Sequence, residues 1–170
     1  MILEEKLLIR KTEDLYRLCD KYQTPQFSAF LNEAEQVKGE TFRPTERIKV
    51  YILEVKNTPK GPRISVSRTH PELVKRLFEA EVTEIKDGTV EIMSIAREAG
   101  SRTKIAVRTN NPNVDAVGAC VGLNGARVNA IVEELRGEKI DIVNWDENPG
   151  NLIQNALSPA KIVAVFADPD

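Results

Sequence analysis

The sequence predicts an α+β fold in which antiparallel strands carry helices on one face, and three observations lead there. From residue 70 to 145 the segments read in the order helix, strand, strand, helix, loop, helix, strand. Hydrophobic spacing switches along this stretch between the period near 3.6 of a half-buried helix and the period of two of a half-buried strand. The chain is 41% hydrophobic and 29% charged, enough apolar matter to close a core around those elements.

The elements can be justified in order. Residues 3–22 predict a helix, with Leu3, Leu7, Leu8, Leu15, Leu18, Cys19 and Tyr22 at helical spacing, stopped by Thr24-Pro25. A short amphipathic piece over 27–36, carrying Phe27, Phe30 and Leu31, completes a helical segment over 1–36. Residues 46–55 then alternate as a strand with Ile48, Val50 and Ile52 on one face. Lys60-Gly61-Pro62 turns the chain, and 63–68 returns as a second strand. The hairpin is basic, with Arg43, Arg47, Lys49, Lys56, Lys60, Arg63 and Arg68 set against Glu46 and Glu54.

Thr69 and Pro71 predict the start of a helix whose stripe is Leu73, Val74, Leu77 and Phe78. Strands follow over 89–96 and 103–108, the second placing Ile105 and Val107 inward. Residues 115–121 form a short helix of small residues ended by Gly122. An amphipathic helix over 126–135 buries Val128, Ile131, Val132 and Leu135, and a strand over 139–145 ends the unit. After Asn148-Pro149-Gly150, a helix over 152–157 and a strand over 161–166 are expected.

Gly122-Leu123-Asn124-Gly125 is the segment with a chemical use. Chance supplies about 0.5 glycine pairs at this spacing in a chain of ordinary glycine usage, so the spacing alone decides nothing. Its position decides more, because it joins a helix of small residues to an amphipathic helix. Glycines there let the backbone approach a phosphate, and the N–H groups and positive dipole end at Ala126 face the same anion. Leu123 and Asn124 are small enough not to block that approach, and the Asn124 amide is a donor. Arg127, just inside the helix, has two readings: it reaches a phosphate, or it pairs with Glu133 or Glu134. Arg102, Lys104 and Arg108 alternate along one strand, so they share its outer face, as a backbone-binding row or as plain solvated charge.

These residues resemble the KH domain, whose GxxG loop clamps single-stranded RNA beside a groove that reads about four bases. The helix-first order is similar to the type II form. The string from Val117 to Val128, together with Ser67-Arg68-Thr69-His70-Pro71, Val90-Glu91-Ile92 and 138–143, resembles the first KH domain of the NusA family of transcription elongation factors. The likeness runs from about Val37 to the end and is strongest over 62–146, while residues 1–36 do not match the family. It implies a basic hairpin over 37–69 from a partial OB-type barrel, a KH domain over 70–146, and the start of a truncated second KH domain over 147–170. It further implies single-stranded RNA as ligand, with Gly122, Leu123, Asn124, Gly125, Ala126, Arg127, Arg102 and Lys104 as contacts. RNA polymerase and termination or antitermination factors are the implied partners. With one GxxG loop, the chain is expected to bind more weakly than a paired array, and the unmatched N-terminus is expected to reflect a different cover, a chimera or a truncation.

Other chemistry finds little support. Cys19 and Cys120 have no disulfide or zinc spacing and read as packed thiols. His70, the only histidine, stands at a helix start with no nucleophile in an evident motif beside it. Trp145 reads as a junction anchor or a base-stacking ring. Asp141, Asp146 and Glu147 read as solvated charge, so neither a metal nor a cofactor is expected, and no enzyme activity. No apolar run approaches the length that spans a bilayer and no signal peptide opens the chain, which predicts a cytoplasmic protein. The net charge of −2 hides a basic middle, fifteen Lys and Arg against ten Asp and Glu over 38–108, that suits an anionic polymer. The competing reading is a protein-interaction module that docks on RNA polymerase or another partner, with the KH fold as scaffold.

Overall fold

The computed structural model describes residues 29–59 and 61–166, so the helix expected over 3–22 and Cys19 lie outside the described residues. The first described element is a strand, β1 (Ala29–Leu31), which corrects the helix expected over 27–36. It pairs in parallel with β3 (Gly61–Ser67), and β3 pairs antiparallel with β2 (Tyr51–Thr58), giving the order β1-β3-β2. Three alternating residues are too few to separate a strand from a helical turn by period. Here Ala29 and Leu31 face inward onto Val50, Ile52, Ile64 and Val66, and Phe30 points out beneath the Arg63 guanidinium at 5.3 Å. A single turn of 3-10 helix follows at Glu33–Glu35.

The first hairpin strand starts later than its alternation predicts. Residues 46–50 give their backbone bonds elsewhere: the Lys49 N–H donates to the Glu134 carboxylate at 3.1 Å and the Lys49 carbonyl accepts from Arg68 at 2.8 Å. A register shift between Ile52 and Glu54 then bends β2 onto the KH-like layer, where Tyr51 joins the second core.

The second layer follows the predicted order. Helix α1 (Pro71–Glu81) is capped by His70, whose Nδ1 accepts the Glu72 N–H at 3.1 Å, and not by Thr69. The Thr69 hydroxyl instead donates to the Glu35 carboxylate at 3.0 Å. A one-turn helix, α2 (Thr83–Lys86), is too short to leave a periodic signal. Strands β4 (Val90–Glu98) and β5 (Arg102–Thr109) pair antiparallel with a bulge at Met93, and β6 (Lys139–Asn144) lies parallel to β5, so only one pair of this sheet is antiparallel. Helices α3 (Ala116–Val121) and α4 (Ala126–Glu134) cover one face. Between helices and sheet lie Leu73, Val74, Leu77, Phe78, Ile105 and Ile131 with their neighbours, and burying each large aliphatic or aromatic side chain contributes about 1.5–3 kcal/mol.

Helix α5 (Pro149–Leu157) starts three residues before its expected position, because Asn148 caps it through Oδ1 and Pro149 takes the first turn. Asn155 and Ala156 hold it to the opposite sheet face, through Asn155 Nδ2 on the Asn144 carbonyl and Lys104 Nζ on the Ala156 carbonyl. The strand expected over 161–166 is not formed. Its residues find no partner strand among the described residues, and Val163 and Phe166 are fully exposed.

Arg68 does not belong to the basic surface of the hairpin. It is wholly buried, and all five guanidinium hydrogens are engaged: Nε and Nη2 grip the Glu40 carboxylate at 3.0 and 2.5 Å, Nη1 meets the Lys49 carbonyl and Glu134 Oε1, and Nη2 meets the Glu134 carbonyl. A second buried pair, Arg97 with Glu138, lies at the base of the α1–β4 layer, bidentate at 2.8 and 2.9 Å. Glu138 also accepts from Thr103 Oγ1 at 2.5 Å and the Gly100 N–H at 2.8 Å.

Candidate nucleic-acid interface

The loop is built from backbone conformations that favour glycine. Asp115 caps α3 by accepting the Val117 N–H at 3.1 Å, and the helix closes with the Gly122 N–H on the Gly118 carbonyl at 2.9 Å. Gly122 then adopts φ +75°, Asn124 φ +52° and Gly125 φ +77°, so three of four consecutive residues sit at positive φ. Asparagine is among the few side chains that accept that region readily. The result is a tight turn, Leu123–Gly125, whose tip carries an 85% exposed Leu123. No side chain caps the start of α4 at Gly125, which leaves that helix end open to an anion.

The two glycines are needed for different reasons. A Cβ on Gly122 would stand 2.8 Å from Arg127 Cγ, because the Arg127 stem lies across this glycine. A Cβ on Gly125 would stand 3.1 Å from Asn129 Nδ2, one turn into α4 on the exposed side. Arg127 does not pair with Glu133 or Glu134. Its Nη1 donates to the Ala119 carbonyl at 2.6 Å and to Glu84 Oε2 on α2 at 2.9 Å.

Gly122, Leu123, Asn124, Gly125, Ala126 and Arg127 thus stand together at one corner of the helical face. Arg102 and Lys104 are on the other face of the sheet. Arg102 chelates Asp141 at 2.7 and 3.0 Å, and Lys104 reaches toward the same carboxylate and the end of α5. The Arg102 hydrogen bond and charge hold the Asp141 carboxyl below the usual carboxylate range, so both cations already serve an anion of the protein. Arg108 pairs likewise with Glu91 at 2.9 Å. Glu84 and Asn129 were not legible as site residues: α2 has no periodic signal, and an asparagine on a solvated helix face is unremarkable.

The remaining candidates take structural roles. Cys120 is fully buried beside the loop, and burial, followed by the nearby Glu84 carboxylate, pushes its thiol up to about 12. Asp146 accepts the Asn148 N–H and the Asn151 side-chain amide, shaping the turn into α5. Trp145 is half-buried and its N–H extends the β5–β6 ladder to the Val107 carbonyl at 2.8 Å. Among the described residues no cluster of metal-ligating side chains is present and no helix is long and apolar enough to cross a membrane.

An α+β sandwich whose two short helices meet at a Gly-x-x-Gly turn, over a sheet with a parallel last strand, has the arrangement of a KH-type domain. Residues 68–145 match the NusA-like first KH domain. The chain is 59% identical over 143 residues to the transcription termination/antitermination protein NusA of Bacillus subtilis, covering 84% of this chain and 38% of that protein. It is 60% identical over 137 residues to the protein of that name from Halalkalibacterium halodurans (81% and 36% covered). The Thermus thermophilus protein is 47% identical over 142 residues (84% and 37%). The chain therefore spans little more than a third of the length of these relatives. The 143 matched residues outnumber those from Val37 to Asp170, so the likeness takes in part of the first 36 residues.

Proposed function

We propose that this chain binds single-stranded RNA through the Gly122–Gly125 turn and contributes that contact to the control of transcription elongation, termination and antitermination. The observation that carries the reading is the turn itself, with Gly122, Asn124 and Gly125 at positive φ in front of an uncapped α4. An RNA phosphate would lie against the turn, where the Gly125 and Ala126 N–H groups already bond the Gly122 and Leu123 carbonyls, so the Leu123 and Asn124 amides and the Asn124 side chain would meet it while Arg127 braces the turn. The proposed work is binding, because what the turn offers is close backbone approach to an anion. The relatives' shared name supports the transcriptional setting, in which the proposed partners are RNA polymerase and termination or antitermination factors in the cytoplasm. Arg102 and Lys104 add to the field around the ligand more than to the turn, since Asp141 neutralises them locally.

Replacing Leu123 and Asn124 together by aspartate tests the reading. Aspartate tolerates the left-handed region, so the fold should persist. Affinity for a short labelled RNA should fall at least about tenfold, because like charges forced together cost a few kcal/mol. Unchanged affinity in a folded double variant would move the site elsewhere. The protein-docking alternative draws on Ile153, Leu157, Val163 and Phe166, which α5 and the residues after it leave exposed. Capture of RNA polymerase that survives nuclease treatment, with no RNA binding at low salt, would favour it.

A further inference from the structure

We infer that Glu84, on the one-turn helix α2 and outside the glycine turn, is a positioning residue for the RNA-binding turn and acts through Arg127. This deepens the RNA-binding reading above and rests on it. The geometry forms a strut with three contacts. The Arg127 stem packs across Gly122, where a Cβ would come within 2.8 Å of its Cγ, so the turn and the side chain fix each other. Both hydrogens of Nη1 are committed, one to the Ala119 carbonyl at 2.6 Å and one to Glu84 Oε2 at 2.9 Å. Ala119 is among the last residues of α3, where carbonyls lack intrahelical partners, so Arg127 ties the end of the helix before the turn to the start of the helix after it.

Glu84 sets where that tie is anchored. Arg127 and Glu84 side chains are each about one-third exposed, 32% and 30%, so the pair contributes little to global stability as an ion pair. What it fixes is direction: without the carboxylate, the guanidinium swings toward solvent and the spacing of α3 and α4 across Gly122 relaxes. The alternative role for Glu84 is a competitor that holds Arg127 away from RNA. The two roles predict opposite signs.

The test compares Glu84→Ala with Glu84→Gln in the full chain, using a labelled single-stranded RNA titrated at several salt concentrations. If Glu84 positions the turn, Glu84→Ala weakens binding by about three- to tenfold, the scale of one ordinary net hydrogen bond, although removing a negative charge should by itself favour RNA. The slope of log affinity against log salt stays unchanged, since no phosphate contact is lost. Glu84→Gln, which keeps an acceptor for Nη1, restores most of the affinity. Equal or tighter binding by Glu84→Ala overturns the proposal. So does a slope reduced by about one, which would mean a cation had left the phosphate. Amide shifts of the RNA-free variants give an independent reading. In Glu84→Ala, shifts at 122–126 with an unchanged melting midpoint support the strut, and silence there overturns it. If the parent chain binds no RNA, the functional reading fails while these RNA-free shifts still decide the strut.

Discussion

Glu138 shows how one side chain can be costly to bury and still be held in its charged form. Desolvation pushes its carboxyl up, but the Arg97 fork, the Thr103 hydroxyl and the Gly100 N–H together outweigh it, and the group ends below its ordinary value of 4.5. A carboxylate depressed in the folded state contributes stability that is fully present above its unfolded value and is lost as pH falls through the folded one. Acid titration should therefore lower the melting midpoint below about pH 4.5, and part of that fall should vanish in Glu138→Gln. At pH 7 the same variant should lose about 3 kcal/mol in a denaturant melt, because Arg97 is left buried with a weaker partner. The sequence marked neither residue. A Glu beside a Gly after a helix and an Arg at a strand end look solvated until the fold brings them together across 41 positions. Arg68 was misread for the same reason: counting it with the hairpin's basic residues followed its neighbours in sequence, whereas Glu40 and Glu134 decide its environment.

At the scale of elements, legibility followed length and amphipathicity. Helices α1 and α4 and strands β4, β5 and β6 each repeat their period over at least six residues, and each was found within a few residues of its ends. Strand β1 and helix α2, three and four residues long, had no room to show a period. The apolar alternation over 161–166 promised a strand, but pairing needs a neighbour, and alternation in one segment cannot supply one. The glycine turn was legible because positive φ and close approach both demand glycine. The Arg127 strut was not, because its anchor is on the unforeseen α2. Helix α5 stands on few contacts, so its cap should matter locally. Asn148→Ala removes the acceptor for the Gly150 and Asn151 amides. Amides of 150–157 should exchange faster, by the factor that corresponds to about 1 kcal/mol of lost capping, while the global midpoint stays put.

For the whole molecule, the deciding feature is how the N-terminal sheet meets the KH layer. Arg68 spans the junction, gripping Glu40 on one side and the end of α4 on the other. His70 stacks on Tyr51 with ring centroids 4.6 Å apart. The Glu46–Arg136 ion pair and the paired approach of Arg68 and Arg136 to the Phe42 ring, each at 5.8 Å, close the outer edge. Arg68→Met should cost about 3–5 kcal/mol, since it leaves Glu40 buried without its partner. Calorimetry should then show the single transition of the parent splitting into two, as the sheet loses its hold on the KH layer. A variant that melts in one step at the parent temperature would show that the apolar contacts alone join the layers.

The junction also gives the glycine turn a fixed compass bearing. Arg68 leaves the last strand of the sheet, and the Glu134 it grips ends the helix that Gly125 begins. If the turn holds RNA as proposed, the RNA strand would leave it at set angles to the strands of the N-terminal sheet. The turn would then hand on a heading as well as a grip, and one buried guanidinium would set that heading.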